Sequence, residues 1–186
     1  GLDFEDVVTV AVFDIDRVLH YPDFRASERT FQLLSQIAGR AGRRKVRGRV
    51  LVQTSVPYHP LFRMVAAGET TLYYSQEVEH RKEFGYPPFS RLIRIAARHA
   101  DSGSAQRALA LLSDEMRKHM PEELVLGPEA PPVSRIRNLY IFQTLLKIPG
   151  GFSPRPVKDV LSTLLHWVQT IPEYKGIHWT VDVDPV

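Results

Sequence analysis

The run Val7-Val8-Thr9-Val10-Ala11-Val12-Phe13, closed by Asp14-Ile15-Asp16, decides the fold class. It is β-branched and apolar at consecutive positions, the pattern of a parallel strand buried on both faces, with polar residues emerging at its carboxyl end. Ligands gather at such ends in open α/β sheets. After the loop Tyr21-Pro22-Asp23, Ser27 is placed to cap a helix in which Phe31, Leu34, Ile37 and Ala38 recur at helical spacing as far as Gly39 and Gly42. The stretch Arg49-Val50-Leu51-Val52-Gln53-Thr54 then supplies a second strand. Strand, helix and strand in this order predict a parallel crossover, an α/β layer too small to stand alone.

Outward from this layer, residues His59 to Phe84 read as helical, broken at Gly68, with Leu61, Met64 and Val65 on one face and a sparser set in Leu72, Val78 and Phe84. The pair Pro87-Pro88 ends that stretch and predicts a stiff joint near polyproline II geometry. A ligand for a proline-binding module is the alternative reading of the two prolines. The remainder reads strand (Arg91 to Arg98), helix (Ser104 to His119), strand (Leu124 to Leu126), hairpin (Val133 to Ile148, turning near Arg137-Asn138), helix (from Ser153-Pro154) and strand (Ile177 to Asp184). In the last strand Ile177, Trp179, Val181 and Val183 alternate with polar residues, predicting one dry face and one wet face. The order βαββαβ is the ferredoxin-like split motif, an antiparallel sheet with both helices on one face and the other face free for a partner. The expected divisions are 1–68, a helical connector with the Pro-Pro joint over 69–89, and a ferredoxin-like domain over 90–186. Trp167 and Trp179 are expected in the core.

Composition narrows the function classes. The chain has 186 residues, 24 Lys plus Arg, 21 Asp plus Glu, 44% hydrophobic residues, seven His and no Cys. This mix can bury a core, and without Cys there is neither a disulfide scaffold nor a thiolate zinc site. No apolar run reaches the length of a membrane span and no signal region is visible, so no membrane partner is expected and cytosol is the default compartment. A net charge of +3 proves no nucleic-acid partner, because clustering rather than the total carries that signal. Asp14 and Asp16 lack further ligands, so local hydrogen bonds are expected there and no metal site.

The sharpest constellation is Gln36-Ile37-Ala38-Gly39-Arg40-Ala41-Gly42-Arg43-Arg44. Arg40 and Arg43 stand three apart and, on a helical turn, point the same way; two permanently charged forks suit a triphosphate. A solvated basic helix end, favoured by the helix dipole, is the alternative. The segment from Gln36 to Arg43 resembles the sixth motif of superfamily 2 helicases, and Gly1-Leu2-Asp3-Phe4 the end of the fifth. The strings Pro22-Asp23-Phe24-Arg25-Ala26-Ser27-Glu28-Arg29, Arg81-Lys82-Glu83-Phe84, Pro87-Pro88-Phe89, Leu126-Gly127-Pro128 and Asp182-Val183-Asp184-Pro185 extend the likeness to the primosomal replication-restart helicases. That resemblance covers nearly the whole chain. It implies the end of a RecA-like second helicase lobe joined to a C-terminal domain, a bacterial cytoplasmic location, and a longer ATP-dependent DNA helicase of which this is a C-terminal fragment. Arg40 and Arg43 would be arginine fingers, Gln36 would sit near nucleotide and strand, and Asp3 would face the nucleotide. ATP and Mg would be bound by the complete parent and zinc by a Cys cluster upstream, with no cofactor expected on this chain. No Gly-rich phosphate loop and no acidic magnesium motif occurs here, so ATP hydrolysis by the chain alone is not expected. Forked or single-stranded DNA, other primosome proteins and single-strand-binding protein are the implied partners.

Arg91, Arg94, Arg135, Arg137, Lys147 and Arg155 are the candidates for phosphate contact. Tyr140 and Phe142 either stack bases or pack under the helices, and their alternation with Leu146 and Ile148 favours packing. Three functions stay open at this point: a helicase motor fragment, a non-enzymatic module for branched DNA or primosome proteins, and a small-molecule regulatory domain, since fold does not fix function.

Overall fold

The computed structural model describes residues 9–41 and 48–185. It divides into two compact units, 1–83 and 84–186. In the first, β1 (Thr9–Val12), α1 (Asp16–Leu19), α2 (Ala26–Arg40), β2 (Arg49–Val52), α3 (Pro60–Ala67) and α4 (Thr70–Glu83) follow in order. β1 and β2 pair in parallel, Thr9 opposite Arg49 and Val12 opposite Val52, so the crossover is present. The strand is not buried on both faces as its composition suggested. Ala11 and Leu51 are exposed and Phe13 is 77% exposed, because the described helices cover only one side of the pair. On that side Ile15, Leu19, Phe31, Leu34, Leu61, Met64 and Tyr73 form the core, with Val12 and Val52 packed against it.

Local chemistry sets the helix ends. Ser27 does not cap α2: the helix starts one residue earlier, and Asp23 accepts the Arg25 amide on its carboxylate (2.8 Å) and the Ala26 amide on its carbonyl (2.9 Å). The Ser27 hydroxyl instead meets the Tyr73 hydroxyl at 2.9 Å. At α3, the His59 imidazole accepts the Leu61 amide (3.3 Å), Pro60 occupies the first turn, and Gly68 closes the helix at φ 69°. The expected apolar set on α4 is wrong. Leu72, Val78 and Phe84 are exposed, whereas Tyr73 and Glu77 are buried, because α4 meets the Phe31 ring and the Glu28 carboxylate of α2 rather than aliphatic side chains.

The second unit contains β3 (Ser90–His99), α5 (Ser102–Arg117), β4 (Val125–Glu129), β5 (Arg135–Ile136), β6 (Leu139–Pro149), α6 (Arg155–Thr170) and β7 (His178–Val183). Its sheet runs β4-β6-β3-β7 with every pairing antiparallel, and the short β5 adds to β6. Ile93 lies opposite Leu146 and Val183, and Ile95 opposite Thr144 and Val181. This register turns Ile93, Ile95, Ala97, Leu146 and Ile148 toward one face, where Leu109, Leu112 and Met116 of α5 and Leu161 and Val168 of α6 complete the core. Asp101 caps α5 by accepting the Ser104 amide at 2.6 Å, a bond that holds its carboxyl below the usual range. Arg137 and Asn138 take φ of 49° and 63°, the geometry of a tight two-residue hairpin turn.

Several expectations need correcting here. Val181 and Val183 are more than 40% exposed, since β7 is an edge strand and its dry face is covered only beside Ile177 and Trp179. Trp167 is exposed on α6, while Trp179 packs half-buried against the core. The sheet face away from the helices is not wholly free, as Leu92, Ala96 and Ile141 on it are buried. The segment with Pro87-Pro88 is a turn rather than an extended spacer: Phe89 donates its amide to Tyr86 (2.9 Å), and the Gly150 amide ties Phe89 to the end of β6 (2.6 Å).

Candidate functional site

Helix α2 carries Gln36 and Arg40 four residues apart, so both project from one face of its exposed last turns. The fixed cation of Arg40 sits at the helix C-terminus, where the dipole favours it. Arg43 and Asp3 lie outside the described residues.

At the carboxyl ends of β1 and β2 stands a second polar group. Asp16 accepts three hydrogen bonds from the turn after β2: Thr54 Oγ1 at 2.5 Å, the Ser55 amide at 2.7 Å and Ser55 Oγ at 2.6 Å. These donors, the Ser55 hydroxyl foremost, hold the carboxyl down to about 2. The acid is thereby occupied as a knot between α1 and β2. Asp14 stands in the left-handed region at φ 53°. No group of three or more metal-ligating residues occurs among the described residues. Sequence reading missed this knot and the contact of Arg81 with Glu28 because the partners are distant in sequence, and it missed the Arg81–Glu77 pair, one turn apart on α4, because neither residue belongs to an apolar pattern.

The six basic candidates of the second unit fall into separate places. Arg94 and Lys147 project from the sheet face away from the helices. Arg94 is paired with Asp182 at 2.8 Å. The Lys147 ammonium lies 4.2 Å from the Tyr86 ring centroid and donates to the Phe84 carbonyl, and burial pushes its pKa down. Arg135 and Arg137 are exposed at the hairpin, with the Arg135 guanidinium 4.8 Å from the Tyr140 ring centroid and 3.3 Å from the Asn138 side-chain oxygen. Arg91, opposite Ile148, and Arg155, at the start of α6, are exposed toward the other end of β6. Eleven residues of extended chain separate the two ends by about 33 Å.

Phe142 packs against the helix-side core. Tyr140 shares its side of β6 and is half-buried beside Arg135. The opposite sheet face presents Arg94, Arg98, Gln143, Lys147, His178, Thr180 and Asp182 and, at its strand positions, no Phe, Tyr or Trp.

A two-unit α/β chain, whose second unit is an antiparallel sheet under two helices and whose first ends a helix on Gln36 and Arg40, thus stands as the class of molecule. Residues 82–186 match the family model described as Primosomal protein N C-terminal domain, and the chain belongs to that family. Over its whole length it is 32% identical to Replication restart protein PriA of Bacillus subtilis, covering 23% of that relative. Its identity with the Replication restart protein PriA of Treponema pallidum is 36%, covering all of this chain and 28% of the relative. With that of Synechocystis it is 29%, again over all of this chain and 22% of the relative. The chain spans about a quarter of the length of these curated relatives and matches their C-terminal portions.

Proposed function

We propose that this chain is the C-terminal part of an ATP-dependent DNA helicase that recognises stalled or abandoned replication forks and restarts replication through primosome assembly. The observation that carries the reading is the continuous likeness to replication restart proteins through both units, including the helix that bears Gln36 and Arg40. On this reading the first unit is the end of a RecA-like second lobe, and the second, with its order β4-β6-β3-β7, is a ferredoxin-like domain.

ATP with Mg, bound largely by parts of the parent outside this chain, supplies the energy of strand movement. The contribution of this chain is electrostatic. Arg40 and Arg43 bring guanidinium charge that cannot be lost by deprotonation and can match phosphate oxygens in a forked geometry. Gln36, on the same helix face as Arg40, offers both a donor and an acceptor. DNA contact falls to the hairpin arginines, because Arg94 and Lys147 already have partners in Asp182 and in the Tyr86 ring. Such contacts read phosphate rather than sequence, which suits a protein that must accept any fork. Primosome proteins and single-strand-binding protein are the partners this reading entails.

The test is ATP turnover by the full-length protein with and without forked DNA. Arg40→Ala or Arg43→Ala should lower DNA-stimulated turnover by about 10³-fold, the contribution of an arginine finger. Full-rate hydrolysis by both variants removes the finger assignment and favours a non-enzymatic binding module.

A further inference from the structure

Helix α4 grips the first turns of α2 through polar and aromatic contacts. The Tyr73 ring lies flat on Phe31, centroids 3.9 Å apart and planes 1° from parallel, while its hydroxyl meets Ser27. One turn later Glu77 accepts from Arg81 Nε at 2.9 Å, and Arg81 Nη2 reaches across to Glu28 Oε2 at 2.5 Å. The Phe24 ring flanks the same guanidinium at 5.1 Å. Burial opposes the charge on Arg81, but Glu77 and Glu28 outweigh it and raise its pKa, so the cation is permanent. Greasy faces can slide past one another; a guanidinium bridging two carboxylates is either made or broken. The contact therefore fixes α4 against α2 in one register.

Its position along the chain matters. The last turn of α4 ends at Glu83, and the second unit begins at Phe84 without a spacer. From Glu28, helix α2 continues about 18 Å to Arg40 at 1.5 Å per residue. We propose that Arg81 is a positioning residue that latches α4 onto α2, so that a load on the second unit is delivered along α2 to Arg40. The inference rests on the helicase reading above and adds a route by which DNA engagement at the C-terminal domain governs ATP turnover. A packed helix pair tied by a salt-bridge network is the kind of rigid element that can carry such coupling.

The experiment uses the full-length protein and three variants: Arg81→Leu, Arg81→Lys, and a six-residue Gly-Ser insertion between Glu83 and Phe84. The insertion changes no residue of the latch or of either core, and its effect is read only where both units melt as in the wild type, which separates lost coupling from a folding defect. In the insertion and Arg81→Leu variants, DNA-stimulated kcat should fall about tenfold while KM for ATP and the DNA-independent rate stay within about twofold. Arg81→Lys should lie between, since one ammonium cannot reproduce the fork that reaches both Glu77 and Glu28. Undiminished stimulation in the insertion variant overturns the latch, as does a parallel fall of basal and stimulated rates in Arg81→Leu, the mark of a purely structural role. A wild-type protein whose ATP turnover ignores DNA defeats the helicase reading itself, and the latch with it.

Discussion

Asp16 shows how little a strand-end carboxylate says until its donors are known. With three hydrogen bonds from Thr54 and Ser55 it is held at about 2 against an ordinary 3.8. The unfolded chain then binds the extra proton as pH drops, so the stabilisation is complete above about pH 4 and is lost as pH falls toward 2. Carboxyl carbon NMR should give Asp16 a midpoint near 2, and Asp16→Asn should remove this part of the acid sensitivity while weakening the first unit at neutral pH. A midpoint at the ordinary value contradicts the three-donor knot. At Gly150 the argument is steric. A Cβ there would stand 2.7 Å from the Phe89 carbonyl oxygen, the atom that accepts the Gly150 amide. Gly150→Ala should therefore cost about 1–3 kcal/mol in thermal unfolding of the second unit; an unchanged melting temperature would mean that the turn from Tyr86 to Phe89 is not anchored at β6. For the hairpin pair, Arg135→Ala with Arg137→Ala should lower the slope of log affinity against log salt by about one unit per lost phosphate contact, alike for all DNA sequences. An unchanged slope in a forked-DNA titration moves the contact elsewhere.

Among elements, α5 and β6 are joined by a buried hydroxyl pair, Ser113 with Thr144 at 2.8 Å, and Ser113 also donates to the Leu109 carbonyl. Removing one partner strands the other in the core. Ser113→Ala should cost about 1–3 kcal/mol, and adding Thr144→Val should return much of it, because a missing pair is cheaper than half of one. Strict additivity in urea melts would show that the two hydroxyls do not depend on each other. The pair also marks where sequence reading ends. α5 and α6 were legible because their apolar residues keep the helical period along the whole element, β3 and β6 because their apolar runs are bounded by turn and loop residues, and the hairpin because Arg137-Asn138 supplies the turn chemistry. β1 was misread because an apolar run cannot tell whether one face or two will be covered. α4 was misread because its buried residues, Tyr73 and Glu77, and the half-buried Arg81 beside them are aromatic and charged, and the α2 partners of Tyr73 and Arg81 lie more than forty residues away. The same limit applies to the site: Gln36 and Arg40 could be placed on one helix face from their spacing, but the pairing of Arg94 with Asp182 spans 88 residues and depends on a register the sequence does not state.

At the scale of the molecule the two units differ in how completely they enclose their cores. The second buries side chains from β3, β4, β6, α5 and α6 to near-zero exposure, among them Ile95, Ala97, Leu109, Leu112, Met116 and Val168. Among its described residues the first has seven in its core cluster, on one side of a two-stranded sheet, and the other side leaves Phe13 and Leu51 in solvent. Burial contributes on the order of 25 cal/mol for each Å² of apolar surface, so a half-covered sheet forgoes much of its potential stabilisation. The units should accordingly open independently, the first at the lower free energy. Both tryptophans lie in the second unit, so their fluorescence reports that unit alone, whereas amide exchange reads both. Amides of β3 and β6 should exchange only through global opening of the second unit, and those of β1, β2 and α2 should exchange orders of magnitude faster. Residues 84–186 expressed alone should keep a single cooperative tryptophan transition, and residues 1–83 alone should bind a hydrophobic dye. Equal protection in both units, or loss of the cooperative transition on separating them at Glu83, would mean that the first unit draws its stability from the second. The latch of α4 on α2 would then have to be read as a structural tie between folding partners rather than as a route for load.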